Sequence, residues 1–194
     1  MQKILLRNYF EHNTLNVARG LLGYVLCRRW GGQIVRGVIT ETEGYCGPHD
    51  LASHASRGRT PRTAVMYGPP GHAYVYLIYG MYWCLNVVTQ RPGYPAAVLI
   101  RAAVVPGVPY EKTNGPGKLC RCFRIDGRCN AKPLGRKTGL WIASSGEKIP
   151  AAYIRQTPRV GVDYAGPYRD KPWRFVLVED DGVSMRTGTV TYGT

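Results

Sequence analysis

Residues 74–86, YVYLIYGMYWCLN, decide how this chain is read. The stretch carries no charge, and apolar and aromatic residues alternate on either side of Tyr79-Gly80-Met81. A period of two on both flanks of a glycine is the pattern of a β-hairpin with its turn at Gly80. Hairpin tips usually face water, so a tyrosine and a methionine beside that glycine call for a partner that accepts apolar surface.

Working outward, residues 24–45, YVLCRRWGGQIVRGVITETEGY, alternate in the same way about Gly31-Gly32 and predict a second hairpin. Before it, NTLNVARGLLG (13–23) opens with the capping residue Asn13 and places Leu15, Ala18, Leu21 and Leu22 on one helical face, stopping at Gly23. Between the hairpins lie a helical turn in DLASHA (50–55) and a basic loop, SRGRTPR (56–62). Further strands are expected in AAVLIRAAVV (96–105), GLWIA (139–143) and RFVLV (174–178), and NGPGKL (114–119) reads as a turn leading into a helix. Pro and Gly are spread throughout and no linker divides the chain. The expectation is one α+β domain over residues 1–194: a curved, mainly antiparallel β-sheet with surrounding short helices and a protruding β-hairpin.

The 194 residues, 44% of them hydrophobic, suffice for one real core. Lys and Arg number 26 against 12 Asp and Glu, a net charge of +14, and residues 118–137 alone hold seven basic side chains against Asp126. Such an excess repels itself unless a polyanion gains from it, which makes nucleic acid the first partner to expect. The N-terminus, MQKILLRNYFEHN, has no long apolar run ending in a small-residue cleavage site. Secretion is therefore not expected, and the six cysteines are expected to be reduced thiols. The uncharged stretch 73–88 is interrupted by Gly80 and Asn86 and too short to span a bilayer, so no membrane partner is expected.

Several chemistries lack their residues. NGPGKL has neither the upstream glycine nor the hydroxyl residue of a nucleotide-binding loop. CRCFRIDGRC (120–129) has three thiols without a paired C-x-x-C knuckle or a nearby histidine, so no metal is expected. No G-x-S-x-G elbow is present. What remains is VITETEGYCGPHDLASH (38–54), which gathers Glu41, Glu43, Tyr45, Asp50 and His54. In an extended strand Glu41, Glu43 and Tyr45 share a face, and paired acids can divide acid and base roles when their surroundings differ.

ETEGYCGPHDLASH (41–54), RGRTPR (57–62), GHAYVYLIYGMYWCLNV (71–87), AVLIRA (97–102), NGPGKLC (114–120), and RVGVDYAG (159–166) with KPWRF (171–175) stand in one order. That ordered set resembles the alkyladenine (3-methyladenine) DNA glycosylase family over nearly the whole chain, from about Leu15 to the last strand. The resemblance implies a DNA repair enzyme that flips damaged purines out of duplex DNA and hydrolyses the N-glycosidic bond. Its substrates would be 3-methyladenine and 7-methylguanine, with hypoxanthine and ethenoadenine as further candidates. It implies that Tyr79, flanked by Met81, fills the gap left by the extruded nucleotide. Glu43 would deprotonate the attacking water, held also by Arg101 and the backbone carbonyl of Val160, leaving Glu41 a structural role. The purine would lie between Tyr45 on one face and Tyr76 and His54 on the other, with Asn86 crowding guanine's 2-amino group. No lysine stands at the Glu43 position to form a Schiff base, so the enzyme would be monofunctional, leaving an abasic site. No cofactor is implied. A monomer is expected, in the cytoplasm or nucleoid of a prokaryote or the nucleus of a eukaryote. The competing expectation is a non-catalytic binder of distorted or damaged DNA.

Overall fold

Strand β1 (Val25–Trp30) turns through Gly31-Gly32 into β2 (Gln33–Cys46), and both glycines have positive φ, 54° and 80°, as the tight hairpin turn demands. The computed structural model describes residues 2–146 and 149–178 and the backbone of two short strands, Val183–Ser184 and Thr191–Tyr192, which pair with each other. β2 is the spine. Its first half pairs with β1, and its second half pairs with β5 (Ala96–Val104) on one side and β8 (Arg174–Leu177) on the other. The hairpin β3 (Ala73–Ile78) and β4 (Tyr82–Val88) continues the sheet beyond β5, while β6 (Leu140–Ala143) lies beyond β1 and β7 (Ile154–Thr157) beyond β8. The result is an eight-stranded antiparallel sheet, as the period-two stretches predict.

β5 is apolar on both faces because it lies inside the sheet with material on each side; Arg101 is its one residue that is not buried. Opposite it, the register of β2 is irregular between Ile39 and Glu41 and again between Glu41 and Thr42. Such a bulge bends a strand and re-aims side chains at the point of bending. That point is Glu41, two residues before Glu43.

Three short helices cover the sheet: α1 (Arg7–Phe10), α2 (Thr14–Gly20) and α3 (Pro116–Cys122). As expected, the Asn13 side chain caps α2, accepting from the amides of Leu15 and Asn16. The helix ends at Gly20, before the predicted Gly23, whose φ of 79° instead turns the chain into β1. α3 begins with proline in its first turn, where the missing amide costs nothing, and packs on β4 and β5. One core joins these layers, with Phe10, Leu21, Ile39, Leu85, Ile100, Leu119, Phe123 and Phe175 among its members.

The β3 and β6 edges of the sheet are covered. Segment 131–135 runs along β3, where Ala73 exchanges backbone bonds with Lys132 and Ala131, and then reaches Leu140 of β6 through Gly135. On the far side of β6, residues 3–5 bond to Ile142 and Ser144. Unpaired strand edges invite intermolecular pairing, and these segments remove them. No helix among the described residues is long and apolar enough to cross a membrane.

Phe123 closes α3 at 0% exposure. Truncation to alanine leaves a large cavity under the helix, and Phe123→Ala is expected to lower unfolding free energy by about 3–5 kcal/mol in urea titrations.

Candidate functional site

The bent segment of β2 sets its two acids in different surroundings. Glu41 is neutralised: its Oε2 accepts from Arg174 Nη2 at 2.7 Å and Nε at 3.1 Å and lies 3.4 Å from Arg101 Nε, while Oε1 accepts from the Tyr110 hydroxyl. Glu43 is fully buried, at 0% exposure, and has lighter company. Its Oε2 accepts from the Tyr45 hydroxyl at 2.8 Å; its Oε1 accepts from the Val160 amide at 3.1 Å and stands 3.5 Å from Arg101 Nη1. The two acids therefore share one arginine, and Glu41 holds a second arginine of its own.

Glu43 lies in the wall of a cavity of about 450 Å³. Of the predicted site residues, Glu43, Tyr45, His54, Tyr76, Tyr79, Asn86, Arg101 and Val160 all line it; Met81 stands outside the lining, on the hairpin tip. The His54 ring meets Tyr76 edge-on at 4.6 Å between centroids, and its Nδ1 is 3.0 Å from the Tyr74 hydroxyl. Buried Asn86 donates to the Tyr74 carbonyl at 3.2 Å, which fixes its amide against the floor. It is the Val160 amide, on an exposed residue, that contacts Glu43.

Burial sets the protonation of the lining. It pushes the phenols of Tyr45 and Tyr76 well up, with Glu43 adding to the effect on Tyr45, so Tyr45 remains a donor toward the carboxylate. Burial also lowers His54 to about 4, helped by Arg62 and Arg57, so its ring is neutral at ordinary pH. The Cys84 thiol in the same cavity is pushed up to about 11, chiefly by burial, and stays protonated.

At the mouth, the Met81 amide donates to the Ile78 carbonyl, and Tyr79 and Gly80 between them both have positive φ, 51° and 70°. Glycine adopts this freely, whereas an aromatic residue rarely does, and such strain concentrates where a side chain must be presented in one direction. Tyr79 is 82% exposed and Met81 63%. Arg62, from the basic loop, donates to the Leu77 carbonyl and lies 5.0 Å from the Tyr76 ring centre, bracing the hairpin.

Sequence reasoning passed over three contributors. Tyr74 lines the cavity and bonds His54; its place two residues before Tyr76 was a usable signal. Tyr164, on the rim, donates from its hydroxyl to the Ala52 carbonyl. Arg159 carried no local signal. Fully buried, it donates to both oxygens of Asp50, to the Gly44 carbonyl and to the Tyr168 carbonyl, with its guanidinium under 5 Å from the rings of Tyr45 and Trp173 at 4.8 and 4.9 Å. Among the described residues no group of three His, Cys, Asp or Glu side chains is placed to hold a metal ion.

Comparison with known proteins points one way. The sequence model of a family described as methylpurine-DNA glycosylase matches residues 8–181. A protein of Methanocella arvoryzae is 45% identical over 94% of this chain and 96% of its own length. One of Myxococcus xanthus is 45% identical over 91% of each chain, and one of Legionella pneumophila 43% identical over 93% of this chain and 97% of its own. All three are named for 3-methyladenine DNA glycosylase.

The state of His54 can be followed directly. Its folded value of about 4 lies below the ordinary 6.5, so between those limits the unfolded chain binds more protons than the folded one. Its contribution to stability is complete above 6.5 and is lost as pH falls toward 4. Imidazole NMR shifts of His54 should stay those of the neutral ring down to pH 5, and His54→Gln should flatten the acid limb of the stability curve.

Proposed function

Because the chain belongs to the methylpurine-DNA glycosylase family, we propose that it excises alkylated purines from duplex DNA by hydrolysing the bond between base and deoxyribose. The observation that carries this reading is Glu43: a carboxylate at 0% exposure, in the wall of an aromatic cavity large enough for a purine, and paired among the described residues with a single cation, Arg101 at 3.5 Å. Glu43 takes a proton from a water that Arg101 and the Val160 carbonyl help to hold, and that water attacks the sugar C1′. The carboxylate also faces the positive charge that develops on the sugar in the transition state, so proton removal and electrostatic stabilisation act together.

The flipped purine stacks between Tyr45 and the pair Tyr76 and His54. Alkylation at N3 or N7 makes the purine cationic, which strengthens its attraction to ring faces and lets it leave as a neutral base. A neutral His54 adds no repulsion to that cation. Asn86, held rigid by its bond to the Tyr74 carbonyl, opposes guanine's 2-amino group. Outside the cavity Tyr79, with Met81 beside it, enters the minor groove and fills the space that the base has left. The substrates on this reading are 3-methyladenine and 7-methylguanine, with hypoxanthine and ethenoadenine as weaker ones. The protein acts as a monomer on double-stranded DNA, in the compartment that holds the genome, and leaves an abasic site uncut.

Glu43→Gln keeps the shape of the cavity and removes the base. In single-turnover assays on duplexes carrying alkylated purines, release should fall by about 10²–10⁴ while binding to abasic duplex survives. Release by the variant at the wild-type rate would sink the mechanism, and a wild-type protein that binds but releases no base would be a reader of damage only.

Tyr79→Ala tests the wedge. Affinity for lesion duplex should drop by about tenfold, the scale of one lost base–aromatic stack, with a much smaller loss on intact duplex. Equal losses on the two duplexes would rule out insertion.

A further inference from the structure

A second cavity, of about 190 Å³, shares no lining residue with the first. It forms where segment 131–135 crosses from β3 to β6, and its walls include Arg28 and Trp30 of β1, Arg128, Lys132, Thr138 and Leu140. Arg28 is the unusual member. It is 6% exposed, its Nη1 donates to the Gly139 carbonyl at 3.2 Å, its Nε has no acceptor, and among the described residues no carboxylate forms an ion pair with it. A buried guanidinium left in this state is costly, and such groups call for a missing partner.

The charge around it is not balanced either. One acid, Asp126, feels the field of Arg28, but its carboxylate is committed to Arg128, accepting from Nε at 3.0 Å and Nη2 at 2.6 Å. Arg128 also lies over the Trp30 ring, 4.5 Å from its centre, which fixes its guanidinium at the rim. With Arg128 neutralised, Arg28 in the wall, whose guanidinium also lies 5.6 Å from the Trp30 ring centre, and exposed Lys132 remain as two cations without a carboxylate of their own among the described residues. The Thr138 hydroxyl, which donates to the Pro133 and Gly135 carbonyls, still offers lone pairs but no further proton. What the cavity asks for is an acceptor-rich anion. A cation would meet Arg28 and Lys132 with no carboxylate free to balance it, and a purely apolar ligand would leave the Arg28 Nε–H without an acceptor.

We propose that this cavity is a phosphate-binding site, separate from the purine cavity, in which Arg28 and Lys132 grip a phosphate group at the rim set by Trp30 and Arg128. Charge-assisted contacts from a guanidinium and an ammonium are the usual means of holding phosphate oxygens. Two sources share this chemistry: a phosphodiester of DNA lying beyond the purine cavity, and free phosphate.

Titration of the ¹⁵N-labelled full chain with inorganic phosphate, against chloride at matched ionic strength, tests the site without reference to base release. Saturable shifts are expected at the Trp30 indole and Arg28 Nε–H resonances with phosphate alone. Arg28→Met should abolish the shift at Trp30, and the exposed substitution Lys132→Gln should weaken the response by about threefold. The source follows from the salt dependence of binding to a long undamaged duplex. If a backbone phosphodiester fills the site, Lys132→Gln lowers the slope of log K against log salt by about 1; an unchanged slope, together with phosphate shifts that the wild type shows and Lys132→Gln weakens, assigns free phosphate. Identical shifts with chloride, or a Lys132→Gln protein that binds phosphate as the wild type does, would overturn the proposal.

Discussion

The buried pair of Asp50 and Arg159 holds the aromatic cavity together. Both side chains are wholly removed from solvent, and their contacts tie residues 44–52 to residues 159–173. Asp50 accepts from the amides of Cys46 and Ala52 and so ties down the turn that leaves β2. Arg159 reaches the Gly44 carbonyl beside Glu43, the Tyr168 carbonyl, and the ring faces of Tyr45 and Trp173. The next residue in the chain is Val160, whose amide meets Glu43. Replacing such a pair by apolar residues can be harmless to stability, but removing one partner strands a buried charge and costs about 3–5 kcal/mol. Its value here is positional. It fixes the backbone donor on one side of Glu43 and the phenol on the other, so the carboxylate is aimed before any substrate arrives.

The two acids show how neighbours divide labour. Glu41 absorbs the Arg174 fork, a contact with Arg101 and a phenol, leaving its oxygens committed. Glu43 receives one phenol and one amide, with Arg101 at the longer distance of 3.5 Å. Because Arg101 is shared, Glu41 also limits how closely that arginine can approach Glu43. A tight bidentate pair would have occupied the lone pairs that the proposed reaction needs for water.

Much of this was legible in the sequence because it is local. Alternation about Gly80 and about Gly31-Gly32 gave both hairpins, Asn13 gave the start of α2, and the spacing of Glu41, Glu43 and Tyr45 gave a shared face that the structure keeps through the bulge. The cavity residues beyond that face came from the ordered blocks rather than from spacing. What could not be read was non-local. Asp50 and Arg159 are 109 residues apart, and although each lies in one of the ordered blocks, nothing in either block says that the two side chains pair until the fold brings them together. β7 is a short, half-exposed strand without a clean apolar pattern, and it exists because β8 offers it an edge. The seven basic residues of 118–137 form one run in the sequence, whereas the fold separates them: Arg128 and Lys132 line the cavity of Arg28 and Lys118 the aromatic cavity.

The question raised by the apolar hairpin tip is answered by the strand behind it. Tyr74 and Tyr76 point into the cavity, and Tyr79 stands at the tip three residues beyond Tyr76, about 10 Å along an extended strand. On the proposed reading, the residue that fills the gap in the duplex and the residue that receives the extruded purine belong to one rigid element. The outer edge of that element is held: the Val75 amide donates to the Asn130 side chain, Ala73 pairs with Lys132, and Arg62 bonds the Leu77 carbonyl. Unstacking a base costs a few kcal/mol, and a wedge that had first to be ordered would add its own entropy to that cost. A tyrosine already fixed at positive φ by the turn removes the second cost, so the strain is set by folding and not at the moment of contact with DNA.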